Sequence, residues 1–156
     1  MISVEEALDR ILSRVSVLGD VGVPLLAALH RVLGETVTAG LDIPPWPNSS
    51  MDGYAVRSAD TVGATSERPA RLTLGGRVPA GGVAERALRA GEAFRIFTGA
   101  PLPEGADSII PQEDVTADGG AVVIGRRVPP GECVRPRGED MRAGDSVLER
   151  GRVLGP

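Results

Sequence analysis

Glycine and proline interrupt this chain at short intervals, and they lie between apolar runs instead of being gathered in one tract. The 156 residues include 21 glycines and 13 prolines. Because both residues favour turns over the interior of helices and strands, this spacing limits the chain to short elements joined by many turns. The hydrophobic fraction of 42% and charged fraction of 24% are ordinary for a folded protein. We therefore expect one or two small cores built mainly from short strands.

Helical periodicity is confined to the first part of the chain. The Ser3-Val-Glu-Glu6 sequence fits a capping box, and the apolar residues that follow it recur at helical spacing. This pattern predicts a helix over residues 3–16. A second apolar stripe, between Pro24 and Gly34, predicts a shorter helix over about 24–33.

A proline-rich crossover then leads into a region of strands. Each proline in the Leu41-Asp-Ile-Pro-Pro-Trp-Pro47 segment disfavours helix at its own position and at the preceding residue. The Asp118-Gly-Gly120 segment between two apolar runs predicts a hairpin. The expected fold class is mainly β with α (α+β), with two short N-terminal helices and strands at 54–57, 71–74, 93–97, 108–111 and 121–127.

Composition excludes several functional classes. The single cysteine, Cys133, and single histidine, His30, argue against a disulfide framework and an ordinary zinc site. The chain has no lysine, so it supplies neither a Schiff-base amine nor a phosphate-loop lysine. A net charge of -4 without a basic block argues against nucleic-acid binding. No apolar run is long enough for a membrane span, and we predict a cytoplasmic protein with no membrane partner.

Two short segments place polar groups beside glycines. In Asn48-Ser-Ser-Met-Asp-Gly-Tyr54, Asp52 supplies negative charge and Gly53 allows a positive φ or the close approach of a ligand. Such a turn suits an anionic ligand or a metal ion, although a lone Asp-Gly is more often an Asx-turn. In Phe97-Thr-Gly-Ala-Pro-Leu-Pro103, the Thr98 hydroxyl follows a predicted strand, where ligand-contacting loops commonly lie. A turn-forming threonine explains that segment equally well.

A third segment, Arg135-Pro-Arg-Gly-Glu-Asp140, combines both signs of charge. Its two arginines offer planar forks for phosphate or carboxylate, and Glu139 with Asp140 offers carboxylate oxygens for a divalent cation. Pairing of these charges at the surface, with a gain of about 0–1 kcal/mol, is the commoner outcome for such a segment.

Taken together, these segments resemble the N-terminal part of the molybdopterin molybdenumtransferases, the MoeA family, which includes the E domain of gephyrin. The match runs from the first helix to the C-terminus and is carried, in order, by Pro45-Trp-Pro-Asn-Ser-Ser-Met-Asp-Gly-Tyr-Ala55, Arg95-Ile-Phe-Thr-Gly-Ala-Pro-Leu-Pro-Glu-Gly-Ala-Asp107, Gln112-Glu113 and Val134-Arg-Pro-Arg-Gly-Glu-Asp140. The resemblance implies an elongated homodimer that inserts molybdate into adenylylated molybdopterin and releases AMP with a divalent cation, taken as Mg²⁺. It also implies the molybdopterin adenylyltransferase as a partner.

The resemblance further implies roles for particular residues. The expected catalytic residues are Asp52, Thr98 and Asp140; the expected substrate-binding residues are Ser50, Gly53, Gly99, Arg135 and Arg137; the expected metal ligands are Asp52, Glu139 and Asp140. Cys133 departs from the family pattern, because an asparagine-like residue is expected there.

By the same resemblance, residues 1–44 and 140–156 form a discontinuous domain with the β-rich domain 45–139 inserted into it. Family members continue into an α/β domain that completes the cleft across the dimer, so we expect no turnover by the isolated chain. A noncatalytic assembly module and a small metal- or phosphate-binding protein are the alternatives.

Overall fold

The computed structural model describes residues 2–156, which contain one α-helix, ten short strands and three 3₁₀ turns. The helix is α1 (Val4–Leu12), and the turns are Leu25–Ala27, Ser58–Thr61 and Gln112–Asp114. The strands are β1 (Val37–Thr38), β2 (Asn48–Ser49), β3 (Gly53–Val56), β4 (Ala70–Val78), β5 (Glu92–Ile96), β6 (Ser108–Pro111), β7 (Val115–Asp118), β8 (Ala121–Ile124), β9 (Val134–Arg135) and β10 (Ser146–Leu148). The mainly β class is confirmed.

The chain divides into two compact units. The terminal unit comprises residues 2–38 together with 146–156, and the central unit comprises residues 39–145. The domain limits at 44 and 140, predicted by resemblance, stay a prediction.

The central unit is organised by a six-stranded sheet with the order β6-β3-β5-β4-β8-β7. Only the β4–β5 pair is parallel, and the other neighbours are antiparallel. The β7–β8 hairpin turns at Gly119 and Gly120, which both have positive φ, as the Asp-Gly-Gly sequence predicts. A separate two-stranded ribbon pairs β2 with β9.

Alternation along the strands gives the sheet two apolar faces. Tyr54 and Val56 belong to one buried cluster, whereas Ala55, between them, belongs to the other. Strand β5 alternates in the same way, with Ala93 in the first cluster and Phe94 in the second. Strands β3 and β5 are therefore covered on both faces, whereas most residues of β4 are exposed or only partly buried.

The terminal unit begins with helix α1, whose N-terminus has the predicted cap. The Ser3 hydroxyl accepts a hydrogen bond from the Glu6 backbone N–H at 3.1 Å. The Glu6 carboxylate, however, accepts from Arg10 one turn later at 2.7 Å. The helix ends at Leu12, before the predicted limit at 16, and none of its residues is buried. No helix among residues 2–156 is both long enough and apolar enough to cross a bilayer.

The second predicted helix, over 24–33, is wrong. Only a 3₁₀ turn forms at Leu25–Ala27, and His30 then has a left-handed φ of 63°. Beyond it the chain pairs with the C-terminal residues: the His30 N–H donates to the Leu154 carbonyl at 2.9 Å and the Leu33 N–H to that of Arg152 at 2.8 Å. Helical spacing does not decide the structure here, because these longer-range backbone hydrogen bonds replace those of a helix.

Candidate functional site

The candidate site lies at one end of the six-stranded sheet. Strand β3 begins at Gly53, which is paired with Ile96 near the end of β5 and with Pro111 at the end of β6. Antiparallel pairing therefore brings together the turn before β3 and the segments that follow β5 and β6. Three of the four matched sequence segments meet at this end, although they are far apart along the chain.

Asp52 and Thr98 are in direct contact there. The Asp52 Oδ1 atom accepts one hydrogen bond from the Thr98 backbone N–H and another from the Thr98 hydroxyl, each at 2.8 Å. The backbone bond, the hydroxyl bond and then the charge of Arg95 hold the pKa of Asp52 below its ordinary value of 3.8, against the opposing effect of desolvation. Asp52 is therefore ionised at neutral pH, and among residues 2–156 its Oδ2 atom has no hydrogen-bond donor.

Arg95 and Gln112 form hydrogen bonds with the backbone carbonyls of the turn that contains Asp52. The Gln112 backbone N–H donates to the Asp52 carbonyl at 3.1 Å. Arg95 donates to the Gly53 carbonyl at 2.8 Å and to the Gln112 side-chain oxygen. Its guanidinium also lies 5.1 Å from the Tyr54 ring centroid and 4.7 Å from that of Phe97. The Asp52 turn is thus fixed by hydrogen bonds to its carboxylate, its carbonyl and the next carbonyl.

Sequence reasoning assigned no role to Arg95. It lies in the matched segment two residues before Phe97, and strand alternation predicts that both side chains project from the same face of the sheet. That alternation was the available signal, whereas the pairing of β5 with β3, which places Arg95 beside Tyr54, could be known only from the structure.

The two glycines of the predicted site differ in their surroundings. A Cβ atom on Gly53 would lie 2.1 Å from the Ile110 carbonyl oxygen, so glycine is required there by the close approach of β6. Gly53 does not have a positive φ, which was one of the two properties that the sequence allowed there, whereas Gly99 has a φ of 80° with open space around it. Substrate contact by either glycine stays a prediction.

Ser50 connects this end of the sheet to the segment around Cys133. Both its backbone N–H and its hydroxyl donate to the Cys133 carbonyl at 3.0 Å. Cys133 itself has a left-handed φ of 53°, a conformation that asparagine, the type of residue expected there by resemblance, adopts more readily than most residues. Nearby, Asn48 is buried, and its Oδ1 atom has no partner among the described residues.

Arg135, in β9, is the register partner of Asn48 in β2, and its guanidinium contacts both carboxylates predicted as metal ligands in this segment. It donates to Glu139 at 2.6 Å and to Asp140 at 2.5 Å. Within residues 2–156 no hydrogen bond joins Asp140 to Asp52 or Thr98, so the third predicted catalytic residue lies in a separate cluster of contacts. Arg137 is likewise paired, because it donates to Asp42, which also accepts from the Ala143 N–H at 2.8 Å.

Among residues 2–156 the three carboxylates predicted as metal ligands do not form one cluster. No three His, Cys, Asp or Glu side chains of the described part of the chain converge on a position that could hold a metal. Of the three predicted ligands, Asp52 is bound through one oxygen by Thr98, while Glu139 and Asp140 both contact Arg135. A cation would compete with a guanidinium for the latter pair.

Comparison with known proteins identifies the family to which these segments belong. The family model described as the MoeA N-terminal region (domain I and II) matches residues 2–156. The chain belongs to the MoeA family. This chain is 45% identical to molybdopterin molybdenumtransferase 2 of Mycobacterium tuberculosis over 136 aligned residues. The alignment covers 86% of this chain and 33% of that protein.

Other members give the same result. The molybdopterin molybdenumtransferase of Synechococcus elongatus is 42% identical over 135 residues, covering 86% of this chain and 34% of that protein. The crystal structure of the molybdopterin biosynthesis moeA protein from Pyrococcus horikoshii superposes with a TM-score of 0.83 at 40% identity, covering 86% of this chain and 35% of that one. This MoeA N-terminal region spans about a third of the length of the curated relatives it matches.

Proposed function

We propose that this chain is the N-terminal portion of an enzyme that inserts molybdate into adenylylated molybdopterin and releases AMP. The observation that carries the proposal is the Asp52–Thr98 pair, an ionised carboxylate fixed by two hydrogen bonds at the end of a sheet. The family membership and the names of the relatives support it. The predicted cytoplasmic location accompanies this proposal and stays a prediction.

The two carboxylate oxygens of Asp52 have different surroundings. Oδ1 is occupied by Thr98, which fixes the orientation of the group, while Oδ2 is left to accept a hydrogen bond from a substrate or to contact a positively charged group. A fixed carboxylate of this kind acts without having to reorganise during the reaction. Thr98 therefore acts on substrate through Asp52 and through its own exposed hydroxyl oxygen, which retains acceptor capacity.

The proposal assigns only part of a catalytic site to this chain. Its residues span about a third of the relatives, so we propose that the remaining groups, including the ligands of the implied Mg²⁺, come from other parts of the full-length protein or from a second subunit. Turnover by the 156-residue chain alone is accordingly not expected. No step of the reaction is assigned to a metal held by Asp52, Glu139 and Asp140.

We further propose that the full-length protein is a homodimer that uses the terminal unit. Helix α1 has an apolar stripe but no buried residue, with Val4 80% exposed and Ile11 61% exposed. An open groove of about 1210 Å³, lined largely by apolar residues of the same unit, lies between residues 17–35 and 150–154. Exposed apolar surface of this extent is typical of an interface. The molybdopterin adenylyltransferase stays a predicted partner, with no surface assigned to it.

The proposal is tested by complementation of a strain that lacks its molybdenumtransferase. Three genes are compared: the 156-residue chain, a chimera in which this chain replaces the matched region of the Mycobacterium tuberculosis relative, and the chimera carrying Asp52→Asn. We expect molybdoenzyme activity only from the second. The matched control is Asp118→Asn, since Asp118 is an exposed carboxylate at the β7–β8 hairpin.

The outcomes separate the candidate functions. Rescue by the chimera, lost with Asp52→Asn and kept with Asp118→Asn, supports the transferase. A soluble chimera without rescue contradicts it and favours a noncatalytic assembly module. Soluble expression of the Asp52→Asn protein also distinguishes a chemical role of Asp52 from that of a turn residue.

A further inference from the structure

Two arginines lie side by side near the Asp52–Thr98 pair. Arg77 in β4 and Arg95 in β5 are partners in the parallel register of these strands. Both guanidinium groups lie over the ring of Phe97, at 4.9 Å and 4.7 Å from its centroid. Phe97 immediately precedes Thr98, so this arginine pair and the Asp52 carboxylate belong to the same end of the sheet.

Neither arginine is neutralised by an ion pair. Among residues 2–156 no carboxylate forms a salt bridge with Arg77 or Arg95. Arg95 is held by neutral acceptors, the Gly53 carbonyl and the Gln112 side chain. Asp52 is the nearby carboxylate that influences Arg95, but its Oδ1 atom is bound by Thr98. Arg77 and Arg95 therefore bring two guanidinium groups to this end of the sheet, where Asp52 lies beside Arg95 and Glu113 contacts the Gln112 side chain.

An anion bound by both guanidinium groups would offset the repulsion between them. Like charges on directly opposite positions of neighbouring strands destabilise a sheet. A guanidinium is a planar donor that matches the oxygens of phosphate and similar oxyanions, and an aromatic ring beneath it fixes its orientation. The arginines that sequence analysis selected for this purpose, Arg135 and Arg137, are instead occupied by carboxylates of the chain itself.

We propose that Arg77 and Arg95, held against Phe97, form a subsite for a tetrahedral oxyanion. The identity of the anion rests on the proposed function, in which both a phosphate group of the adenylylated substrate and molybdate have this chemistry. Arg95 supplies a preorganised charge, because its hydrogen bonds and ring contacts fix it in place. Arg77 is exposed and supplies a second donor group from the adjacent strand.

The subsite is tested by titrating the 156-residue chain separately with inorganic pyrophosphate and with molybdate at constant ionic strength. The readout is the nuclear magnetic resonance signal of each arginine Nε–H group. We expect saturable shifts of the Arg77 and Arg95 signals with at least one of the two anions, and no saturable shift for Arg71. Pyrophosphate alone identifies a phosphate subsite, and molybdate alone identifies a molybdate subsite. No saturable shift with either anion overturns the proposal.

Two arginine substitutions on β4 distinguish specific anion binding from a general effect of charge. Arg77→Gln removes an exposed charge that makes no hydrogen bond within residues 2–156, and it should weaken binding by about tenfold. Arg71→Gln is the matched control, since Arg71 is also exposed on β4 but pairs with Asp118 at 2.5 Å. Equal weakening by both substitutions would mean a general charge effect and would overturn the proposal. Arg77→Gln is preferred to a change at Arg95, which also holds the Asp52 turn.

The direct titration is independent of complementation. Saturable binding by the chain with failure of the chimera to rescue would retain the subsite and reject the transferase. Rescue by the chimera without anion binding at Arg77 and Arg95 would retain the transferase and reject the subsite.

Discussion

All the buried apolar side chains of residues 2–156 belong to the central unit, whereas the terminal unit contains residues that are exposed or only partly covered. Phe94 and Ile96 in the central sheet are almost completely buried, while Leu25 and Leu26 in the terminal unit are 87% and 96% exposed. Hydrophobicity alone is therefore a poor guide to burial in this chain. Strands β3, β5 and β6 of the central unit have neighbours that cover both faces. The apolar residues of the terminal unit are exposed or only partly covered by the described chain.

The difference in burial between the two units is tested by truncating one large apolar side chain in each unit. Phe94→Ala should lower the free energy of unfolding by about 3–5 kcal/mol, because it leaves a cavity in a closed core. Leu26→Ala should change it by less than about 0.5 kcal/mol, because little surface is uncovered. Urea unfolding followed by far-ultraviolet circular dichroism, which reports on the backbone of both units, measures both. Similar losses from the two substitutions would contradict the division into units.

Glycine substitutions test the same contrast through the backbone. Gly53→Ala places a Cβ atom against the Ile110 carbonyl and should cost about 1–3 kcal/mol through forced separation of β3 and β6. Gly22→Ala is the control, because its added Cβ has no neighbour within 4 Å. It should be neutral, or slightly stabilising through the unfolded chain. Thermal unfolding with circular dichroism measures the difference, and an unchanged Gly53→Ala protein would rule out the close approach of β6.

Among residues 2–156 two non-glycine residues, one in each unit, have a left-handed backbone, and they offer a smaller test. Cys133→Asn should raise the stability of the central unit by about 0.5–1 kcal/mol, because asparagine tolerates a φ of 53° better than cysteine. His30→Asn relieves a φ of 63° in the terminal unit and should leave the unfolding reported by Trp46 unchanged. Urea unfolding in the presence of reductant measures both. An increase in the stability reported by Trp46 after His30→Asn but not after Cys133→Asn would contradict this expectation.

The smallest expected effect concerns the protonation of Asp52. Its folded-state pKa is lowered, so the stabilising interactions of the carboxylate are complete above the ordinary value of 3.8 and are lost as the pH falls through the folded-state pKa. Thr98→Val removes the hydroxyl donor and keeps the backbone donor, and should raise the Asp52 pKa partway toward 3.8. Carboxyl ¹³C titration measures it. Thr116→Val, on β7, is the control, and an unchanged pKa with Thr98→Val would exclude the hydroxyl contact.

Much of the central unit could be predicted from the sequence, because its signals are local. The β7–β8 hairpin follows from Asp118-Gly-Gly120, and the strands follow from apolar runs bounded by turn residues. The predicted second helix over 24–33 was wrong because the structure of this segment depends on long-range contacts. Residues 30–33 form backbone hydrogen bonds with residues 152–154, which no local pattern reveals.

For the candidate site too, local motifs identify some residues, while the contacts between them depend on strand pairing. Asp52 and Thr98 could be chosen from their motifs, but the contact between them depends on the pairing of β3 with β5. The motifs also contain Arg135 and Arg137, and only the structure reveals that carboxylates of the chain occupy both. Arg77 lies outside every matched segment, and its position beside Arg95 follows from a parallel register across a long connection.

The most direct test of the proposed function is the release of AMP from adenylylated molybdopterin by purified protein in the presence of molybdate. The chimera of this chain with the remainder of the Mycobacterium tuberculosis relative is compared with its Asp52→Asn form, both verified as folded. We expect AMP release by the chimera and a rate at least about a hundredfold lower after the substitution, since one fixed group typically contributes that much. No AMP release by the folded chimera would contradict the proposed function, and equal release by the two folded proteins would contradict a chemical role for Asp52.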